Sequence, residues 1–197
     1  GGHIEVGGCD LRKLTNAELA RMIAFVNTER ISVEAMTAYD LVAVGRSPYT
    51  DWSGRLRSCD HEAIERSIRI AGVEHLADRY VDTLSDGECQ RVMIAKALAQ
   101  DTPAILLDEP TSYLDMPNRY ELCTLLGRLA HDEGKCVLFS THELDIALTL
   151  SDNIALVDTP QLLYMPTGEM IASGSIERPF DSPYIRFDAS TRSIHLK

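Results

Sequence analysis

Two acidic residues close an apolar run in this 197-residue chain: Ala104-Ile105-Leu106-Leu107 is followed by Asp108-Glu109-Pro110. A continuous apolar run of that kind predicts a parallel strand buried on both faces. Acids at the carboxyl end of such a strand stand where α/β proteins bind ligands. Asp108 is a candidate Mg²⁺ ligand, directly or through water. Glu109 is a candidate to orient and activate an attacking water. Upstream, Leu84-Ser85-Asp86-Gly87-Glu88 reads as a helix start, with Ser85 as N-cap and Glu88 completing a capping box. The same geometry offers N–H groups and a dipole to an anion such as phosphate, and Gly87 would let backbone approach that anion closely. Ser112-Tyr113-Leu114-Asp115 reads alone as a turn. Ser140-Thr141-His142-Glu143 ends the next apolar run, Cys136 to Phe139.

These groups need elements to hold them. Strand signals fall at residues 3–6, 23–26, 104–107, 136–139 and 154–157. Helix signals fall at 33–45, 55–71, 85–100, from Pro117 to near Gly134, and at 143–150, with a short helix after the capping pattern Thr15-x-x-Glu18. Gly72 closes the second of these. Strand and helix alternate through 104–157, which predicts an α/β core of parallel strands. Residues 34–99 are mostly helical and read as an insertion into that core. From Gln161 to Lys197 short runs are broken by Pro166-Thr167-Gly168 and Asp181-Ser182-Pro183, which predicts small hairpins around a short helix near Ile176 to Phe180.

Composition narrows the function classes. Nineteen basic against 30 acidic residues give a net charge of −11. That balance argues against a duplex-binding protein, which needs excess Lys and Arg, and against a polybasic membrane anchor. No run of about 18 apolar residues spans a bilayer. Five cysteines without a CxxC suit a reducing cytosol better than a disulfide framework or a structural zinc site. The opening Gly1-Gly2-His3-Ile4 has no initiator Met and enters strand-like sequence at once, which suggests a fragment or a processed chain.

In order along the chain, the motifs resemble those of the nucleotide-binding subunit of an ATP-binding cassette transporter. Leu84-Ser85-Asp86-Gly87-Glu88 resembles the family signature, and Leu106-Leu107-Asp108-Glu109-Pro110-Thr111 the Walker B strand with its catalytic glutamate. Ser112-Tyr113-Leu114-Asp115 resembles the D-loop, and His142 the switch histidine. Asp40-Leu41-Val42-Ala43-Val44-Gly45-Arg46-Ser47-Pro48-Tyr49, with Trp52 and Gly54-Arg55-Leu56, is similar to the cassettes of iron-siderophore, haem and cobalamin importers. The resemblance implies a P-loop NTPase-like α/β core over residues 1–33 and 100–160, a helical subdomain over 34–99 and small hairpins over 161–197. Residues 29–56 become the candidate docking surface for a membrane permease.

The chain also departs from the pattern. A P-loop, G-x-x-x-x-G-K-[ST], cradles phosphates with backbone N–H groups and a lysine. Of Lys13, Lys96, Lys135 and Lys197 only Lys135 follows a glycine, and Cys136 comes next. The sequence has no P-loop and no adenine-stacking aromatic upstream of one, so it resembles a cassette lacking its first strands and P-loop helix. The Q-loop glutamine position holds Thr28, within Asn27-Thr28-Glu29-Arg30. Glu88 stands where many members carry Gln.

By resemblance, ATP and Mg²⁺ are the cofactors, and two cassettes sandwich ATP head to tail. Ser85, Gly87 and Glu88 would face the γ-phosphate held by the partner, and Asp108 would serve Mg²⁺. Glu109 would polarise water, His142 would contact the γ-phosphate, Asp115 would link the two sites and Thr28 would stand at the Q-loop. The implied partners are permease subunits, a second cassette subunit and, indirectly, a substrate-binding protein, but no nucleic acid. The implied location is the cytoplasmic face of the membrane. Two other readings stay open: a non-catalytic degenerate cassette that regulates or scaffolds a partner, and a soluble cassette ATPase outside transport.

Overall fold

The computed structural model describes residues 2–28, 33–158, 160–177 and 182–197. It divides into two compact units, Gly1–Ser140 and Thr141–Lys197. In the first unit, β1 (Glu5–Val6) and β2 (Cys9–Asp10) form an antiparallel hairpin whose turn residues, Gly7 and Gly8, take φ of 55° and 78°. The short helix α1 (Asn16–Leu19) carries the Thr15–Glu18 capping box.

The centre of this unit is a three-stranded parallel sheet. Its order is β3 (Ile23–Val26), β4 (Ala104–Leu107) and β5 (Cys136–Phe139). Between β3 and β4 the described residues form the α-helices α2 (Ala38–Val44), α3 (Ser58–Ala71) and α4 (Asp86–Ala99). The helix α5 (Met116–His131) connects β4 to β5. Ala24, Val26, Ile105 and Leu107 pack with Val42, Ile64, Val92, Ile94 and Leu129 into one core.

Four features differ from the sequence-based expectations. Only one face of β4 is deeply buried, whereas the apolar run predicts both. On the other face Phe25, Leu106 and Leu138 lie side by side in register, and Phe25 and Leu138 are each 59% exposed. The helix expected from residue 33 begins at Ala38, because Thr37 caps it with Asp40 in a reciprocal box and Ala35 has φ 58°. The strand expected over 154–157 does not extend the parallel sheet. It is β6 (Asn153–Asp158), paired antiparallel with β7 (Gln161–Pro166) in the second unit. Its alternating burial suits a hairpin packed on one side. The expected turn at Pro166-Thr167-Gly168 starts a helix, α7 (Thr167–Ala172), where the Thr167 N–H donates to Asp152 O at 2.9 Å.

The second unit also contains α6 (Leu144–Leu150) and the antiparallel pair β8 (Ile185–Asp188) and β9 (Ser193–Leu196). Leu148, Met170, Ile176 and Phe187 form its own core. The helix expected near Ile176 to Phe180 falls largely outside the described residues. Among the described residues no helix is long and apolar enough to cross a membrane.

Candidate functional site

The carboxyl ends of β3, β4 and β5 bring three segments together. The Asp108 N–H donates to Val26 O at 2.9 Å, and the Ser140 N–H to Leu107 O at 3.0 Å, so the sheet ladder runs on to the first polar residues. Ser140 Oγ donates to Asp108 Oδ1 at 2.6 Å and accepts the Glu109 N–H at 2.9 Å. Thr28 Oγ1 lies 3.4 Å from Asp108 Oδ2 and donates to it. Ser112 Oγ donates to Glu109 Oε2 at 2.8 Å, and the Ser112 N–H donates to Glu109 O at 3.0 Å. Glu109 has φ 41°. A non-glycine residue in that region costs on the order of 1–3 kcal/mol and persists only where its surroundings dictate it. Here the surroundings are Ser140 on its amide and Ser112 on its carboxylate and carbonyl.

The oxygen donors at these strand ends, a carboxylate flanked by hydroxyls, suit a hard cation such as Mg²⁺. Among the described residues no three His, Cys, Asp or Glu side chains converge into an all-protein cage. Mg²⁺ characteristically keeps waters and phosphate oxygens, so one carboxylate is a sufficient protein share.

The second cluster sits at the start of α4. Ser85 caps the helix by accepting the Glu88 N–H, and Glu88 Oε2 accepts the Ser85 N–H at 2.8 Å and the Ser85 hydroxyl at 2.9 Å. Arg79 Nη1 donates to Glu88 Oε1 at 3.0 Å. The Ser85 backbone N–H, with further help from its hydroxyl and from Arg79, holds the Glu88 carboxyl below the usual glutamate range. The charge of Glu88 is thus turned back onto Ser85 and Arg79. Gly87 is buried. A Cβ there would meet Asn118 Cγ at 2.9 Å and Oδ1 at 3.0 Å. The Asn118 side chain fills the space where a Cβ would stand. Asn118 is held in turn by Asp115, the N-cap of α5, whose Oδ1 accepts from Asn118 N at 3.1 Å and Nδ2 at 2.7 Å.

In the segment expected to dock a permease, residues 29–32 lie outside the described residues. Gly45 and Arg46 are buried, whereas Ser47 is exposed and Pro48 and Tyr49 are half-buried. A Cβ at Gly45 would lie 2.3 Å from Lys96 O in α4. Arg46 is buried, donates through Nε to Asp60 Oδ1 at 3.0 Å and through Nη1 to Ala99 O at 2.8 Å, and lies 4.0 Å from the Tyr49 ring centroid. Tyr49 donates to Gln100 O at 3.0 Å. Trp52, by contrast, is 99% exposed.

His142 lies in the second unit and lines a cleft there of about 300 Å³ with Glu143, Asp145 and Arg192. The structure therefore brings Thr28, Asp108 and Glu109 together, and sets Ser85, Gly87 and Glu88 beside Asp115 through Asn118. Sequence reasoning overlooked Ser140, Ser112 and Asn118 as partners. A hydroxyl at the end of a strand neighbouring β4 was the available signal for Ser140.

Known proteins resemble this chain in sequence and fold. The family model described as ABC transporter matches residues 1–112. An uncharacterized ABC transporter ATP-binding protein of Methanocaldococcus jannaschii is 38% identical over 82% of the chain and 56% of its own length. The ferric enterobactin transport ATP-binding protein FepC of Escherichia coli is 33% identical over 88% of the chain and 61% of its own length. The chain thus spans a little over half the length of such relatives. A solved chain of an ABC transporter described as metal-chelate type, in an inward-facing conformation, matches with a TM-score of 0.72 and 30% identity. That match covers 76% of this chain and 59% of the other. A dimeric ATP-binding cassette bound to ADP and Pi matches with a TM-score of 0.69 at 25% identity, over 85% and 74% of the two chains. With a family model matched over more than half of the chain and relatives above 30% identity over most of it, the chain belongs to the ABC transporter family.

Proposed function

We propose that this chain is part of the ATP-hydrolysing subunit of an importer for an iron-siderophore or a related metal chelate. The observation that carries the reading is the strand-end cluster, in which Ser140 and Ser112 hold Asp108 and Glu109 side by side. The ligand class is supported by relatives whose names give ferric enterobactin transport and petrobactin import.

In this reading Asp108 would hold Mg²⁺, which neutralises charge on the phosphates. Glu109 accepts a proton from the attacking water at its carboxylate, and Ser112 fixes the orientation of that carboxylate. Thr28 and Ser140 hold Asp108 aligned through hydrogen bonds to its two carboxylate oxygens. His142 contacts the γ-phosphate. Ser85 and Gly87 face the phosphates of a second, head-to-tail cassette, and Asp115 links the two sites. Closing that pair moves the helical subdomain, and with it permease subunits docked on residues 29–56, with a substrate-binding protein engaged through the permease. The subunit lies on the cytoplasmic face of the membrane.

The sequence supplies no G-x-x-x-x-G-K-[ST], so nothing in this chain cradles the β- and γ-phosphates. The chain alone therefore hydrolyses ATP negligibly. The same observation favours a second reading, a non-catalytic cassette that scaffolds a partner. The experiment is ATP turnover by the purified chain, and by the assembly isolated through a tag on it. Turnover confined to the assembly supports the proposal, and an assembly without turnover supports the scaffold. Robust turnover by the chain alone, lost on Glu109→Gln, overturns the requirement for an added phosphate cradle.

A further inference from the structure

Gly87 has no conformational need to be glycine. It lies in the first turn of α4 with ordinary helical backbone, outside the left-handed region. Its need is for space, and the group that takes the space is Asn118. A Cβ at Gly87 would approach three Asn118 atoms, at 2.9, 3.0 and 3.3 Å. Contacts under about 3 Å force something to shift, because interiors pack at crystal-like density. Asn118 is not free to swing aside. Both its backbone N–H and its Nδ2 donate to the same Asp115 oxygen, and that oxygen caps α5. One turn further along, Arg91 of α4 is ion-paired with Glu121 of α5, which keeps the two helices in register. The Asn118 amide is therefore a spacer with one edge on Asp115 and its body on Gly87.

We infer that Asn118 is a positioning residue that sets the Ser85–Glu88 helix start against Asp115. This rests on the reading above, in which Gly87 and Asp115 serve nucleotide sites across a cassette pair. It assigns part of the cost of losing Gly87 to a contact inside this chain, not to a lost contact with phosphate. A substitution that crowds Asn118 pushes the signature segment and the D-loop apart together. A misplacement of about 1 Å at a reacting geometry costs on the order of a hundred-fold in rate.

The test is a cycle of Gly87→Ala, Asn118→Ala and the double variant, read in two ways. On the chain alone, thermal unfolding measures the contact without reference to nucleotide. The double variant is expected to be more stable than additivity of the single changes predicts, because Asn118→Ala removes the atoms that the new methyl meets. Additive changes overturn the inference whatever the chain's function. In the ATP-hydrolysing assembly, Asn118→Ala is expected to lower kcat about ten-fold while KM for ATP stays within about two-fold, the pattern of lost positioning. Gly87→Ala is expected to fall further, and the double variant to return to the level of Asn118→Ala. If the double variant stays as inactive as Gly87→Ala, Gly87 acts through ligand contact and the positioning role is wrong. If Gly87→Ala fails to fold, Asn118→Ala alone decides, and an unchanged kcat in it refutes the inference. An assembly with no turnover in the unsubstituted form refutes the functional reading instead, and the unfolding cycle still decides the contact.

Discussion

Ser140 donates its hydroxyl proton to Asp108 at 2.6 Å and accepts the Glu109 N–H at 2.9 Å with the same oxygen. One side chain thus fixes both acids at the end of β4, from a neighbouring strand. Removing it leaves Asp108 with one fewer donor and the Glu109 amide without this acceptor. Ser140→Ala is expected to lower ATP turnover of the assembly about ten- to a hundred-fold, the usual range for partners that orient metal ligands. Ser140→Thr, which keeps the hydroxyl, is expected to retain most of the rate. Steady-state turnover against Mg²⁺ concentration checks both.

Asp60 is fully buried and accepts from Arg46 and from the Arg57 backbone and side chain. The Arg57 N–H, followed by Arg46, holds its carboxyl below the ordinary aspartate value. A group whose folded pKa is depressed stabilises the fold above its unfolded pKa. It loses that contribution as pH falls through the folded value, here below about pH 4. Asp60→Asn leaves the Arg46 charge buried without its partner and is expected to cost about 3 kcal/mol near neutral pH. Urea unfolding from pH 7 to pH 3 should show the unsubstituted chain losing more stability than the variant below pH 4. Parallel curves would refute the assignment.

Ser85 and Glu88 cap α4 reciprocally. Ser85→Ala is expected to lower stability by about 1 kcal/mol. Glu88→Gln keeps the reach to the Ser85 N–H and loses only the charge facing Arg79, a partly exposed pair worth less than about 1 kcal/mol. Chemical denaturation of the two variants should therefore rank Ser85→Ala as the less stable.

Phe25 and Leu138 flank Leu106 on the uncovered face of the sheet. An apolar patch of this kind promotes association and dye binding. The isolated chain is expected to bind an environment-sensitive apolar dye. Phe25→Gln with Leu138→Gln is expected to reduce that signal severalfold without loss of helical circular dichroism.

Features fixed by neighbouring residues were readable in the sequence. The Ser85–Glu88 cap, the Gly72 helix stop and the helix from 86 to 99 depend on contacts within a few positions. The β3-β4-β5 core followed from apolar runs with helical crossovers. Relations that cross the chain were hidden. Ser140 is 32 residues from Asp108, and nothing in a serine's immediate surroundings announces its partner. The packing of Asn118 against Gly87 was hidden in the same way, because the two residues lie in different helices. The true start of α2 was available in Thr37-x-x-Asp40, a weaker form of the pattern recognised at Thr15 and Ser85. Whether an apolar run is covered on both faces, or pairs with a later strand as β6 does, depends on layers that the run itself does not encode.

The central claim is that Glu109 activates water for ATP hydrolysis. The most direct measurement compares the assembly carrying Glu109→Gln with the unsubstituted one, for ATP turnover and for ATP-driven pairing of cassettes by sedimentation. The account predicts turnover reduced at least about a hundred-fold, as expected for loss of a general base, with pairing retained because the carboxamide removes proton acceptance but little volume. Turnover within a few-fold of the unsubstituted assembly would contradict it.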